Sequence, residues 1–290
     1  MACKIDIVKQ FVQVSLTNFS LLKMKKIFLT GASSGIGLAI AKSLDARGDE
    51  VWGTSREAGR MSQLPHLHSV QLDLLDSKSV EDGFARALSE AGHFDVVINN
   101  AGSGHFGAAE NLSDAEIESQ FQILVFGQLQ LMRLAIAAMR QRGHGLIINI
   151  TSLASRLPVP FMAAYNAAKA ALAAYTMSIQ LELPDSNVRI VDLQPADIST
   201  GFNDAVPKNI EHDARYKTRL TKTWTAVDRN MKNAPPPDLV ATHIAQLIDS
   251  PNPPPRITVG DVFQSKVAPF IFRFLPQRLR IWGLKMYYGI

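Results

Sequence analysis

The sequence predicts an α/β fold: one doubly wound domain, with a parallel seven-stranded sheet and helices on both faces. Three observations carry this. From Lys26 onward, short apolar runs alternate with longer helical patterns, which implies right-handed crossovers and a parallel sheet. Several runs are almost purely apolar, as strands buried on both faces should be. A glycine-rich turn joins the first run to the first helical pattern.

The elements follow in order. "KIFLT" reads as the first strand and "GIGLAIAKSLDARG" as a helix that stops at Gly48. "EVWGTS" and "HSVQLDL" are the second and third strands, "SVEDGFARALSEAG" is a helix, and "FDVVINN" is the fourth strand. A long helix begins after Ser113, with Glu116 three positions on as the partner in a capping box, and ends near Gly143. "GLIINIT" is the fifth strand. "AAYNAAKAALAAYTMSIQLEL" is a helix ended by Pro184, "VRIVDLQP" is the sixth strand and "RITVG" the seventh. Proline clusters at Pro235–Pro237 and Pro253–Pro255 bracket one more helix as rigid surface connections. Residues 201–233 are polar and without a strong period. They follow the C-terminal end of the sixth strand, where open α/β sheets bind ligands, and read as a lid.

Composition narrows the function classes. The 290 residues are 47% hydrophobic, enough to bury a large core. The single cysteine, Cys3, excludes an internal disulfide and a cysteine-based zinc site. His66 and His68 lie close together without an acidic or cysteine partner at ligand spacing, so no metal site is expected. Net charge is +4, but residues 256–290 carry six Lys/Arg and one Asp, so the positive charge lies in a tail and not in a nucleic-acid groove. No run of 18 apolar residues marks a transmembrane helix. Residues 1–23 lack a signal-peptide pattern and read as a dispensable extension, residues 24–262 as the domain, and residues 263–290 as a basic amphipathic tail. The expected location is the cytoplasm, with or without membrane association.

The chemistry begins at "TGASSGIG", Thr30 to Gly37. Glycines at 31, 35 and 37 permit a tight turn and let backbone N–H groups approach an anion at a helix N-terminus. With Ser33, Ser34 and Ile36 they form a candidate nucleotide cradle. The Gly-x-x-x-Gly-x-Gly spacing, "NNAG" at Asn99–Gly102, Ser152, and Tyr-x-x-x-Lys at Tyr165–Lys169 occur in one order and spacing. Together they resemble the short-chain dehydrogenase/reductase family, a Rossmann-type fold, over about residues 25–260.

That resemblance implies a nicotinamide cofactor and interconversion of a carbonyl and an alcohol by hydride transfer. The second strand ends "TSRE". Arg56, where an acidic residue would bind the ribose hydroxyls of NAD, favours NADP(H), with NAD the alternative. Asp73 and Leu74 match the adenine-contacting position. Asn99, Ala101 and Gly102 match the segment beside the adenosine ribose. Pro195, Ile198 and Thr200 match the segment that meets the nicotinamide carboxamide.

Tyr165 and Lys169 sit four apart on a helix, roughly 6 Å along its axis and on nearly the same face. A nearby ammonium favours a phenolate and should lower the tyrosine pKa from its usual ~10. The resemblance implies that Tyr165 exchanges a proton with the substrate oxygen, that Ser152 hydrogen-bonds that oxygen, and that Lys169 also holds the nicotinamide ribose. Tyr175 and Tyr216 lack this context.

Two positions depart from the family pattern. Leu124 stands where the family has an asparagine that passes protons from the lysine to water, with Gln120 and Gln128 one turn away as substitutes. Ala196 stands where a glycine usually follows Pro195. These keep a second class open, a nucleotide-binding sensor with weak or no catalysis. Phe106, Leu157, Val159, Phe161 and Phe202 suggest an apolar pocket for a lipid-, steroid- or retinoid-like substrate, with His105 and Arg156 either meeting a polar or acidic group or facing solvent. The tail, with Arg273, Arg278, Arg280 and Lys285 among aromatics, either lies on an anionic membrane, packs on the domain or a second subunit, or covers the pocket. The two apolar helices at 114–141 and 165–183 imply a homodimer or homotetramer.

Overall fold

A computed structural model describes residues 24–183, 186–208 and 214–290. The expected N-terminal extension, residues 1–23, lies outside the described residues. The seven strands are β1 (Lys26–Leu29), β2 (Glu50–Ser55), β3 (Leu67–Gln71), β4 (Val96–Asn99), β5 (Gly145–Ile150), β6 (Val188–Pro195) and β7 (Arg256–Val259). They form one sheet in the order β3-β2-β1-β4-β5-β6-β7, and every neighbouring pair is parallel. The order reverses between β1 and β4, which opens a crevice at their C-terminal ends.

Strand alternation divides the core in two. Ile27 and Leu29 of β1, Val96 and Ile98 of β4, and Val191 and Leu193 of β6 point to one face. There they meet α1 (Gly35–Ala46) through Ile40 and Leu44, and α8 (Asp238–Asp249) through Val240, Ile244 and Leu247. Phe28, Val97, Ile147 and Ile190 point the other way. That face is covered by α2 (Ser77–Ala91), α4 (Gly127–Arg142) and α5 (Ala163–Glu182). Leu131, Met132 and Leu172 are almost completely buried there, each such side chain stabilising the fold by about 1.5–3 kcal/mol.

The expected long helix is α3 (Asp114–Phe121) continuing into α4 through a single π turn, Gln122–Phe126. Ser113 Oγ accepts from the Glu116 N–H, and the Glu116 carboxylate accepts from the Ser113 N–H, closing the expected capping box. By length and composition this helix, Asp114–Arg142, is apolar enough to cross a membrane, although it holds no uninterrupted run of 18 apolar residues. Its buried residues serve the sheet face instead.

The polar stretch 201–233 is more regular than its composition suggested. It holds α6 (Phe202–Ala205) and a 20-residue helix, α7 (Ala214–Asn233). Leu220, Thr223 and Ala226 are buried at helical spacing, and the many polar residues are its solvent face. The tail forms a π turn (Phe263–Val267), α9 (Ala268–Phe274) and α10 (Gln277–Tyr288), broken at Pro276. Asn230 of α7 donates to the Tyr287 hydroxyl of α10 at 2.8 Å.

Candidate active site

The crevice holds a cavity of about 920 Å³. At its inner end the glycine turn is locked to the fourth strand. Thr30 Oγ1 accepts from the N–H groups of Asn100 (2.8 Å) and Ala101 (3.0 Å), and Asn100 Nδ2 donates to the Thr30 carbonyl at 2.9 Å. This contact dictates glycine at two positions. A Cβ on Gly31 would stand 2.9 Å from Ala101 Cα, and one on Gly37 would stand 2.0 Å from the Gly31 carbonyl oxygen.

Gly31, Ser33, Ser34, Gly35, Ile36 and Gly37 all line the cavity. Ser34, the N-cap of α1, makes no side-chain capping bond, so the first N–H groups of that helix are left for an anion. Arg56, Asp73 and Leu74 line the same end, as do Ala101 and Gly102. Asn99 does not. Its side chain is buried inside the sheet, where Nδ2 donates to Asn149 Oδ1 at 2.8 Å and Asn149 Nδ2 donates to Thr176 Oγ1 at 2.8 Å. The strand's two-residue period turns Asn99 into the core and presents Asn100, which lines the cavity in its place. Arg60 also lines the cavity beyond Arg56.

At the centre stand Ser152, Tyr165 and Lys169, with Pro195, Ile198 and Thr200 on the facing wall. Ser152 follows β5 and caps a short 3₁₀ turn, its Oγ accepting from the Ala154 N–H at 3.0 Å. Ser152 is the hydrogen-bonding neighbour whose effect on the Tyr165 phenol is to lower its pKa. Lys169 is 5% exposed. Its Nζ lies 5.9 Å from the Tyr165 ring centroid and donates to the Ile150 carbonyl at 2.8 Å.

The electrostatics correct one expectation. Burial pushes the Tyr165 phenol above its ordinary value. The Ser152 hydrogen bond opposes this and the Asp197 carboxylate adds to it. Desolvation therefore outweighs the lowering expected from the lysine. Lys169 is itself lowered to about 8 by burial, partly offset by Asp192. In the reducing direction this pairing suits an acid: the phenol holds its proton until an alkoxide, a stronger base, forms beside it.

Leu124 is fully buried at the middle of the π turn. A Cβ on Gly102 would stand 3.4 Å from Leu124 Cδ2 and 4.0 Å from Lys169 Nζ, so both side chains border this glycine. Gln128 Nε2 is committed to the Ala101 carbonyl at 2.9 Å. Gln120 is buried, and its amide has no hydrogen-bond partner among the described residues. Ala196 is accommodated by its neighbour, since a Cβ on Gly260 would meet Ala196 Cβ at 2.5 Å.

Of the expected pocket residues, Leu157, Val159 and Phe202 line the cavity, and Phe106 and Phe161 do not. Those two rings are 6.0 Å apart in an apolar cluster with Met162, Val206 and Leu220 that backs the cavity wall beneath the lid. Phe106 anchors the lid, its N–H donating to the Pro207 carbonyl at 3.0 Å. Phe161 takes a positive φ of 61° there, a conformation that costs an aromatic residue about 1–3 kcal/mol and is held by this packing. His105 and Arg156 are both half-buried, each held by a protein partner. His105 lies 3.6 Å from the Glu116 carboxylate, and Arg156 Nη2 donates to Thr258 Oγ1 at 2.8 Å. His68 is stacked on Trp52 at 4.3 Å, and among the described residues no group of three His, Cys, Asp or Glu gathers as for a metal ion.

Sequence reasoning missed the outer wall. Asp197, Met231, Gln264, Phe272, Leu284 and Tyr288, from the end of β6, the lid and the tail, line the cavity. The tail thus covers the pocket, one of the three placements expected for it.

A doubly wound sheet with a glycine cradle and a serine–tyrosine–lysine group at its switch point, the lysine buried, defines a nicotinamide-dependent oxidoreductase acting on CH–OH groups. Known proteins agree with this class. Residues 25–211, well over half of the chain, match the model of the family described as short chain dehydrogenase, and the chain belongs to that family. It is 30% identical over 268 residues to a 3-ketodihydrosphingosine reductase of Bacteroides thetaiotaomicron, covering 91% of this chain and 98% of that one. Among solved structures it resembles a short-chain dehydrogenase from Streptomyces avermitilis, with TM-score 0.77, 26% identity, and coverage of 91% and 97% of the two chains. An alcohol dehydrogenase from Thermococcus sibiricus complexed with 5-hydroxy-NADP gives TM-score 0.69 at 26% identity, covering 83% of this chain and 98% of that one.

Proposed function

We propose that this protein is an NADPH-dependent reductase of a ketone carried on a long apolar chain. The observation that carries the reading is the continuity of one cavity. It runs from the glycine turn, past Ser152 and Tyr165, into a chamber walled by Phe202, Met231, Leu275, Leu279 and Leu284. The similar reductase acts on a lipid ketone by its name, which supports the same class here over steroid- or retinoid-like compounds.

The residues lining the cavity support one placement for the cofactor. The N–H groups of Ser34–Gly37 take the pyrophosphate, Asp73 and Leu74 flank the adenine, and Ala101 and Gly102 meet its ribose. Arg56 and Arg60, both exposed at the end of β2, supply charge for a 2′-phosphate. Pro195, Ile198 and Thr200 meet the nicotinamide end, and Lys169 holds its ribose. A bound nicotinamide supplies the hydride. Ser152 donates a hydrogen bond to the substrate oxygen and fixes it beside the Tyr165 hydroxyl. Tyr165 then gives its proton to that oxygen as negative charge develops, and Lys169, lowered to about 8 but still protonated at neutral pH, stabilises the phenolate left behind.

Phe126 of the π turn and Met177 and Leu181 of α5 are exposed apolar residues that suit a subunit contact. On the tail, Phe270, Phe274, Trp282 and Met286 are exposed beside Arg273, Arg278 and Lys285, a mixture that suits the interface of an anionic bilayer.

The test is a matched series of 3-ketones of increasing chain length, with NADPH and NADH compared by absorbance. We expect kcat/KM to rise with chain length by about threefold per added methylene pair or more, and NADPH to be preferred by at least about tenfold. A flat length series removes the lipid reading, and an NADH preference removes the cofactor reading.

A further inference from the structure

The core of the sheet holds an acid that the reaction above does not use. Asp192 sits between Val191 and Leu193 in β6 and is 1% exposed. A carboxylate there loses its hydration. Buried ion pairs seldom stabilise a fold more than apolar residues of the same volume would, so stability is a weak reason for this one. Strand alternation supplies a better reason. Val191 and Leu193 belong to the core beneath α1 and α8, so Asp192 turns to the other face, which α5 covers with Tyr165 and Lys169. Thr151, just beyond β5, and Arg256 of β7 meet it there. The Thr151 hydroxyl donates to Oδ1, and Arg256 Nε and Gln194 Nε2 donate to Oδ2, each at 2.7 Å.

Thr151 links two parts of the candidate site. The residue before it, Ile150, gives the carbonyl that accepts from Lys169 Nζ at 2.8 Å, and the residue after it is Ser152. Its own N–H donates to the Leu193 carbonyl at 2.9 Å. The bond from Thr151 to Asp192 therefore fixes the short stretch of chain to which lysine and serine are both tied. The charge of Asp192 reaches further. Burial lowers Lys169, and the field of Asp192 opposes that burial. The cations about Asp192 are Arg256 on β7, Arg156 on the turn after β5, and Lys169 on α5. Lys169 meets this field and, on its own helix, the Tyr165 ring.

We propose that Asp192 is a positioning residue for the reduction: through Thr151 it holds Ser152 and the Lys169 anchor in place, and by its charge it keeps Lys169 an ammonium ion. The inference rests on the role given above to Lys169 and adds to it a residue outside the serine–tyrosine–lysine group. Arg256, at the edge of the sheet, then sets how much of the carboxylate's charge the lysine feels, because it neutralises the same Oδ2 from the opposite side.

The experiment uses the full chain. Asp192→Asn keeps the shape and removes the charge. For ketone reduction with NADPH, kcat/KM of the wild type should fall above a break at about pH 8, where Lys169 loses its proton. In Asp192→Asn the break should move to lower pH by about a tenfold change in proton affinity. The ratio of kcat/KM at about pH 9 to that at about pH 6 should then drop roughly tenfold further than in the wild type. A variant slower at every pH, with the break unmoved, overturns the proposal, because a merely structural acid would act in that way. NMR of the chain with its lysines labelled with carbon-13 at Cε asks the same question without turnover, the Lys169 signal being the one that Lys169→Met lacks. Its titration midpoint should fall in Asp192→Asn by the same factor, and an unmoved midpoint overturns the proposal. A chain that reduces no ketone yet shows this fall refutes the reductase reading and supports the charge assigned to Asp192. If Asp192→Asn does not fold, Arg256→Met unmasks the carboxylate from the exposed edge of the sheet. The Lys169 midpoint should then rise, and one that stays or falls overturns the proposal.

Discussion

Lys169 shows what the site costs its own fold. It buries an ammonium whose pKa falls from 10.5 to about 8, so below pH 8 the folded protein carries a charge that the unfolded chain would solvate better. Between about 8 and 10.5 the unfolded state binds more protons than the folded one, and stability rises with pH across that window. Replacing Lys169 by methionine removes the charge and keeps the volume. At pH 7 the variant is expected to be more stable than the wild type by about 1–2 kcal/mol, an advantage that shrinks toward pH 10, as read by denaturant titration at the two pH values. A variant less stable at pH 7 would mean that the bond from Nζ to the Ile150 carbonyl outweighs the desolvation.

At the scale of elements, the strands and most helices were legible in the sequence because their residues report burial directly. Phe28 between Ile27 and Leu29 marks both faces of β1 as buried by residue type alone, and Ser113 with Glu116 marks where α3 begins. The cradle was legible for a similar reason, since a glycine such as Gly37 answers a steric demand that no other residue meets. What composition hid was amphipathicity with a narrow apolar stripe. In α7 the inward set of Tyr216, Leu220, Trp224, Val227 and Met231 is helically spaced, yet outnumbered by charged and polar neighbours. The fate of Phe106 and Arg156 was equally hidden, because an apolar ring fits a pocket wall or a lid anchor alike, and only tertiary partners decide.

The π turn at Gln122–Phe126 is the element whose consequence is least conventional. It carries Leu124 to the same glycine, Gly102, that Lys169 Nζ borders, at a place where π turns often mark function. A leucine accepts and donates nothing, and the adjacent Gln128 is occupied by Ala101. If proton supply to Lys169 limits turnover, Leu124→Asn should raise kcat by about two- to tenfold and lessen its solvent isotope effect. Steady-state rates in H₂O and D₂O check this, and an unchanged kcat would show that protons reach the lysine by another path.

The whole molecule joins two halves with different tasks. The sheet and its switch point fix the cradle and the proton donor, while the segment after β6, the lid and the tail close a chamber over them. The residues that line this chamber come from chain positions as far apart as Asp197, Met231 and Tyr288. No local motif announces them, because Asp197 gains its setting only where lid and tail meet. The charge asymmetry of the sequence finds its place here as well: the basic residues of the tail ride on α9 and α10, at the mouth of an apolar cavity.

The most direct test of this account is Tyr165→Phe, which removes one hydroxyl oxygen from the centre of the cavity. NADPH affinity, followed by fluorescence of the bound cofactor, should stay within about threefold of the wild type, and turnover on a long-chain ketone should fall by about 10² or more. A variant that binds NADPH and still turns over at a wild-type rate would contradict the assignment of Tyr165 as the proton donor.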